Sequence, residues 1–172
     1  DIYESLSSLD GWGLGSPISL GVSFPSREYG TIALDESTVE SADSVVLFDL
    51  TRMNQLTYGV DYIVKASSSG LTLVPLKTFK PGNQYLVAVT DTVKDSLGRK
   101  LEPSQMYSLL SDSGTDVATL TADASQQAQL KSIQTLLTGI NPVLSNFVSA
   151  DSNIIYSTRF TAQKIKPVMQ EV

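Results

Sequence analysis

The string Asp112-Ser113-Gly114-Thr115 is the stretch of this chain that most resembles a piece of catalytic machinery. In aspartic proteases an Asp-Ser/Thr-Gly-Ser/Thr string presents a carboxylate that shares a proton with its twin and activates water. Those enzymes set aliphatic residues directly before the Asp and need a second half-site. Here Ser111 intervenes and the string occurs once, so a polar loop leaving a strand is the better reading. An acyl-transfer nucleophile fares no better. Its elbow, Gly-x-Ser-x-Gly, needs small neighbours around a sharp strand-to-helix turn. The nearest approach, Gly21-Val22-Ser23-Phe24-Pro25, lacks the second Gly and puts Pro where the helix must begin. No Ser is followed three residues later by Lys, and Gly11, Gly13 and Gly15 fit neither a dinucleotide fingerprint nor a phosphate loop.

Composition narrows the chemistry further. The 172 residues contain no His and no Cys. A Ser-His-Asp triad, a Cys-His dyad, a histidine or thiolate metal site and a disulfide are therefore out of reach of this chain alone. The acidic pairs Asp35-Glu36 and Asp91 with Asp95 lack the spacing of a calcium loop and read as turn formers with solvated side chains. No catalytic, cofactor-binding or metal-binding residue is nominated, and no cofactor is called for. Net charge is −6, the wrong sign for a nucleic-acid binder. Lys65, Lys77, Lys80, Lys94, Arg99 and Lys100 concentrate positive charge in the middle of the chain, where they would form either a local basic face or, the favoured reading, ordinary solvated strand edges and turns. Trp12, Tyr29, Tyr58, Tyr62 and Tyr107 would serve either as an aromatic binding face or as core edges. No apolar run approaches the ~18 residues that span a bilayer.

The elements that would position such residues are mainly β. Ile18 to Phe24 reads as a strand, and Val45-Val46-Leu47-Phe48-Asp49-Leu50 as another. Gly59 to Lys65 and Leu71 to Pro75, joined by Ser67-Ser68-Ser69-Gly70, form a hairpin signature; Pro75 marks a strand end or an edge. Lys80-Pro81-Gly82-Asn83 is a turn feeding a strand from Gln84 to Thr92, and Met106 to Leu110 is expected to be the next strand. This rhythm predicts a β-sandwich rather than alternating βαβ units. After Asp123 the period changes. Leu130, Ile133 and Leu137 take helical spacing, with Asp123 as cap, Gln126 three residues on and Gly139 as stop. A second short helix is expected from Asn141 and Pro142, carrying Leu144, Phe147 and Val148. Period two returns over Asn153 to Ala162. A helical hairpin at about 123–150 thus interrupts a sandwich of about seven strands before its last strand.

The stretch from Val45 to Tyr107 resembles the Ig-like sandwich modules of bacterial surface proteins. Phe79-Lys80-Pro81-Gly82-Asn83-Gln84-Tyr85-Leu86-Val87 and Lys94-Asp95-Ser96-Leu97-Gly98 carry much of the likeness. The flanks narrow it. Leu9-Asp10-Gly11-Trp12, Ser16-Pro17-Ile18, Gln129-Leu130 and Tyr156-Ser157-Thr158-Arg159-Phe160-Thr161-Ala162-Gln163 resemble the N-terminal Ig-like domain of bacterial virulence-factor lipases and phospholipases. The resemblance implies an extracellular or outer-membrane surface protein, often a lipoprotein, in which a following α/β-hydrolase domain supplies the serine, acid and histidine. That domain would be this chain's partner, with a lipid surface as a possible second. It also implies an Ig-like domain over 1–164 and, over 165–172, the start of a linker to the hydrolase. The chain opens on Asp1 and stops at Val172, and is expected to be a piece of a longer protein. The alternative is an adhesion or carbohydrate-binding module of a surface protein.

Overall fold

Segments 45–49 and 85–90 are apolar at most positions, and strands of that kind need cover on both faces. The alternating segments 18–21 and 62–67 need cover on one. A computed structural model, which describes residues 13–22, 32–68 and 70–163, meets both demands with three layers. Its strands are β1 (Ile18–Gly21), β2 (Val45–Asp49), β3 (Asn54–Gln55), β4 (Tyr62–Ser67), β5 (Gly70–Pro75), β6 (Gln84–Thr90) and β7 (Ile154–Thr161). They form two antiparallel sheets, one in the order β1-β5-β4 and the other β3-β2-β6-β7. The helices are α1 (Glu36–Val39), α2 (Gln105–Ser111) and α3 (Ala124–Leu144). The mainly-β sandwich with a helical insertion before its last strand is therefore the observed architecture.

Two cores follow from the pleat. Inward residues Val45, Leu47, Tyr85, Val87 and Val89 meet Ile18, Leu20, Tyr62, Val64, Leu71 and Leu73 between the sheets. Their neighbours Val46, Phe48, Leu86 and Ala88 point the other way, onto Tyr107, Leu110, Leu137, Ile140 and Leu144 of α2 and α3. The helical insertion is thus the third layer, roofing the outer face of the four-stranded sheet. Without it, Val46, Phe48, Leu86 and Ala88 of β2 and β6 would face water.

The expected hairpin is present, with Tyr62 opposite Pro75 and Ser67 opposite Gly70; Pro75 ends its strand. The turn at 80–83 is also as expected: Asn83 N–H donates to Lys80 O at 3.1 Å, and Gly82 takes φ 76°. In β7 the alternation holds from Tyr156 onward, with an irregularity between the partners of Val89 and Thr90. The expected first strand is observed as Ile18–Gly21, and Phe24 lies outside the described residues. So does the linker over 165–172.

Two local expectations need correction. Met106 to Leu110 is not a strand but lies in helix α2, capped by Ser104, whose Oγ accepts Tyr107 N–H at 3.1 Å. Tyr107 and Leu110, three apart, are its buried pair, and in a five-residue apolar run that spacing is indistinguishable from a strand. The insertion is also not divided at Gly139. Asp123 does cap α3, its Oδ1 taking Ser125 and Gln126 N–H at 2.9 Å each. The helix then runs through Gly139, Asn141 and Pro142 to Leu144, followed by a tight 3-10 turn at Ser145–Phe147. Burial of Ile140 and Leu144 against the sheet favours continuing the helix past both local stop signals, while the Pro142 ring faces solvent.

Candidate functional site

Asp112 falls in the turn after α2. Its Oδ1 accepts the Gly114 N–H at 2.8 Å and its side chain is exposed. The loop is anchored from α3 by buried Gln134, whose Nε2 donates to Asp112 O and Thr115 O, both at 2.9 Å. A carboxylate tied to its own turn in water lacks the shared-proton setting of a protease dyad. The polar-loop reading stands, although the loop leaves a helix rather than a strand.

The acidic pairs are turn formers; Glu36 is solvated as expected, whereas Asp91 and Asp95 are buried. Asp35 caps α1 through the Ser37 N–H. Asp95 is 4% exposed, with Oδ1 taking Leu97 and Arg99 N–H and Oδ2 taking the Arg99 guanidinium at 2.6–2.7 Å. Asp91 is likewise buried, with Oδ1 on the Asn153 N–H and Oδ2 near Asn153 Nδ2 and Lys100 Nζ. Backbone and cationic donors fill their lone pairs, which permits burial without water. Four of the six mid-chain basic residues are engaged in this way, as Lys65–Glu40, Lys77–Asp61, Arg99–Asp95 and Lys100–Asp91.

These groups set a pH dependence. Burial pushes the Asp95 and Asp91 carboxyls up. In Asp95 the Arg99 side chain and backbone donors, and in Asp91 the Asn153 and Lys100 donors, outweigh it and hold both below the usual carboxylate range. Tyr62 moves the other way: burial raises its phenol to about 12, and its O–H donates to Val45 O at 2.6 Å. Depressed carboxyls stabilise the fold above their unfolded value, and that contribution is lost as pH falls below about 4. The raised phenol stabilises below about pH 10, and its contribution is lost between 10 and 12. Melting temperature against pH should therefore fall on both limbs. Asp95→Asn should flatten the acid limb and Tyr62→Phe the alkaline one; unchanged limbs in both variants would contradict these assignments.

The aromatic residues do not share a face. Tyr62 lies in the inter-sheet core with Tyr58 edge-on against it, ring centroids 5.8 Å apart. Tyr107 lies under the helices, and Trp12 and Tyr29 fall outside the described residues. The core-edge reading holds for the three that are described. Tyr107 also closes a buried polar triangle. Its hydroxyl is 2.7 Å from Ser157 Oγ and accepts Asn141 Nδ2–H at 3.1 Å, while Ser157 Oγ–H donates to Asn141 Oδ1. Asn141 thus joins α2, α3 and β7 instead of capping a helix. Ser23 of the elbow-like string lies outside the described residues; Gly21 ends β1.

Turn residues flank the 45–50 run in the sequence, but nothing there announces the backbone of the turn between β2 and β3, where Met53 adopts φ 54° and is 67% exposed. A left-handed Met leaves no composition signal; the polar residues Asp49 and Asn54 around it mark only that a turn is there. Met53 sits at the end of the sandwich where β7 finishes, since β2 pairs Asp49 with Tyr85 and β6 pairs Gln84 with Thr161. The described residues form a three-layer body whose β2–β3 tip exposes Thr51, Arg52, Asn54 and Gln55 around Met53.

Comparison with known proteins gives one family. The model of the bacterial virulence factor lipase N-terminal family matches residues 4–169. No curated protein and no solved structure matches the chain.

Proposed function

We propose, given that this chain belongs to the bacterial virulence factor lipase N-terminal family, that it is the non-catalytic platform of a secreted or surface-exposed lipase. An N-terminal lipase domain implies a parent enzyme with a catalytic domain. In this reading residues 1–164 form the platform, and an α/β-hydrolase domain downstream carries the nucleophile, the acid and the proton shuttle. No helix among the described residues is long and apolar enough to cross a membrane.

The absence of histidine carries the proposal. Ester hydrolysis through a serine requires a group that accepts the hydroxyl proton and returns it to the leaving alcohol near neutral pH, and imidazole is the usual one. The test compares the 172-residue chain with the full-length protein on p-nitrophenyl esters of increasing acyl length. Hydrolysis by the full-length protein, with none above background from the shorter chain, is the expected result. Turnover by the shorter chain that a serine-directed inhibitor abolishes would overturn it.

A further inference from the structure

We propose that residues 139–142 form a hinge in α3, held straight by the ring of Tyr107, Asn141 and Ser157, so that the last turn of the helix has a docked and a released state. The ring is closed. Asn141 Nδ2–H donates to Tyr107 Oη at 3.1 Å, and Ser157 Oγ–H donates to Asn141 Oδ1. With the serine proton used there, the 2.7 Å contact between the two hydroxyls runs from Tyr107 O–H to Ser157 Oγ. Each side chain thus gives one hydrogen bond and takes one, in a place where Tyr107 and Ser157 are each 3% exposed. Burial pushes the Tyr107 phenol up, which keeps its proton in the ring. Tyr107 comes from α2, Asn141 from α3 and Ser157 from β7, so the ring latches the helical layer to the four-stranded sheet.

The segment that the latch holds is built to break. Gly139 has little helix propensity, and Pro142 has no N–H to offer the carbonyl of Thr138. In their order along the chain these residues also specify the alternative: Gly139 closes one helix, Asn141 caps a second and Pro142 takes its first position. Asn141 serves only one of the two states. As a cap its backbone is extended and its Oδ1 accepts an N–H two or three residues ahead. In the ring its backbone is helical and its Oδ1 accepts the Ser157 hydroxyl instead. The two uses exclude each other, which makes the hinge two-state. Beyond it lie Leu144, fully buried, and Phe147, whose ring is stacked on Phe48 with centroids 4.7 Å apart. Release uncovers Phe48 on the outer face of β2, and docking hides it.

Hydrogen exchange followed by mass spectrometry tests this on the full-length protein, in peptides covering residues 138–144, residues 130–137 and β4. Strand β4 carries Tyr62 and Val64 into the inter-sheet core and reports global opening. Tyr107→Phe opens the ring and keeps the packing of the aromatic ring; Ser157→Ala opens it from the other side and replaces the first variant if that one does not fold. Either should raise exchange over 138–144 at least ~10-fold while β4 changes by less than ~2-fold. Gly139→Ala combined with Pro142→Ala removes the hinge and leaves the ring. In that background the ring variants should raise exchange over 138–144 no more than over 130–137. Unchanged exchange over 138–144 in the ring variants, an equal rise over β4, or a local rise that survives in the double-Ala background would each overturn the hinge. Failure of both ring variants to fold would overturn it too, since the ring would then secure the whole domain.

Discussion

Leu137→Asp is expected to lower the melting temperature by roughly 10–15 °C or to prevent folding, a loss of about 4 kcal/mol or more. Leu137 is 2% exposed and belongs to the core between α3 and the outer faces of Val46, Phe48, Leu86 and Ala88. A carboxylate there loses its hydration with no donor in place of water, so it must either protonate or unfold its surroundings. The leucine volume is lost as well. Leu137→Ala gives a graded version, about 2–4 kcal/mol from the cavity alone. Gln129→Asp, at an exposed position of the same helix, should stay within about 0.5 kcal/mol. Thermal denaturation followed by circular dichroism decides the matter. A Leu137→Asp protein melting within a degree or two of the parent would mean that the helical layer is not part of the domain core.

That prediction depends on a layer whose existence, but not division, can be read from the residues. Turn chemistry is local, so the hairpin over 59–75 and the Pro81-Gly82 turn are evident from their own residues. Gly82 needs its positive φ whatever surrounds it. The Asp123 cap is evident for the same reason. The helix end is not, because Gly139 and Asn141-Pro142 are true local stop signals overruled by distant partners. Ile140 and Leu144 find the sheet, and Asn141 finds Tyr107 and Ser157, residues 34 and 16 positions away. Met106 to Leu110 failed through brevity, since five residues do not separate period two from period three.

The β2–β3 turn is still less accessible from the chain alone. Asp49 closes an apolar strand, and nothing local says that its carboxylate will reach Asn83. Nor does the type of residue 53 announce a left-handed backbone, since Met is an ordinary side chain in an extraordinary place. The buried acids teach the complementary lesson. Asp91 and Asp95 have the composition of solvated turns, and only the convergence of Asn153, Lys100 and Arg99 makes their burial affordable. Excluded chemistry is more readily read than positive function, because a missing histidine is a property of the list of residues and an interface is a property of their arrangement.

Two glycines should respond with opposite signs to the same change. Gly70 opens β5 at φ 155°, paired with Ser67 on one side and Gly21 on the other. A Cβ built there would stand 2.0 Å from the Leu20 carbonyl oxygen and 2.9 Å from its carbon. Both are backbone atoms of β1, so no side-chain rotation relieves the clash. Gly70→Ala must either push β1 off the sheet or distort the hairpin, at a cost of roughly 2–4 kcal/mol. Because β1 contributes Ile18 and Leu20 to the inter-sheet core, its displacement should also speed hydrogen exchange at Leu71 and Leu73. Gly139 is the counter-case: it is helical, exposed and has nothing within 4 Å of its would-be Cβ. Gly139→Ala should stabilise by up to about 1 kcal/mol, through helix propensity and a less disordered unfolded chain. Chemical denaturation of the two variants checks both. A Gly70→Ala midpoint equal to that of the parent would show that β1 does not approach β5 so closely, and a destabilised Gly139→Ala would show that α3 does not run unbroken through that position.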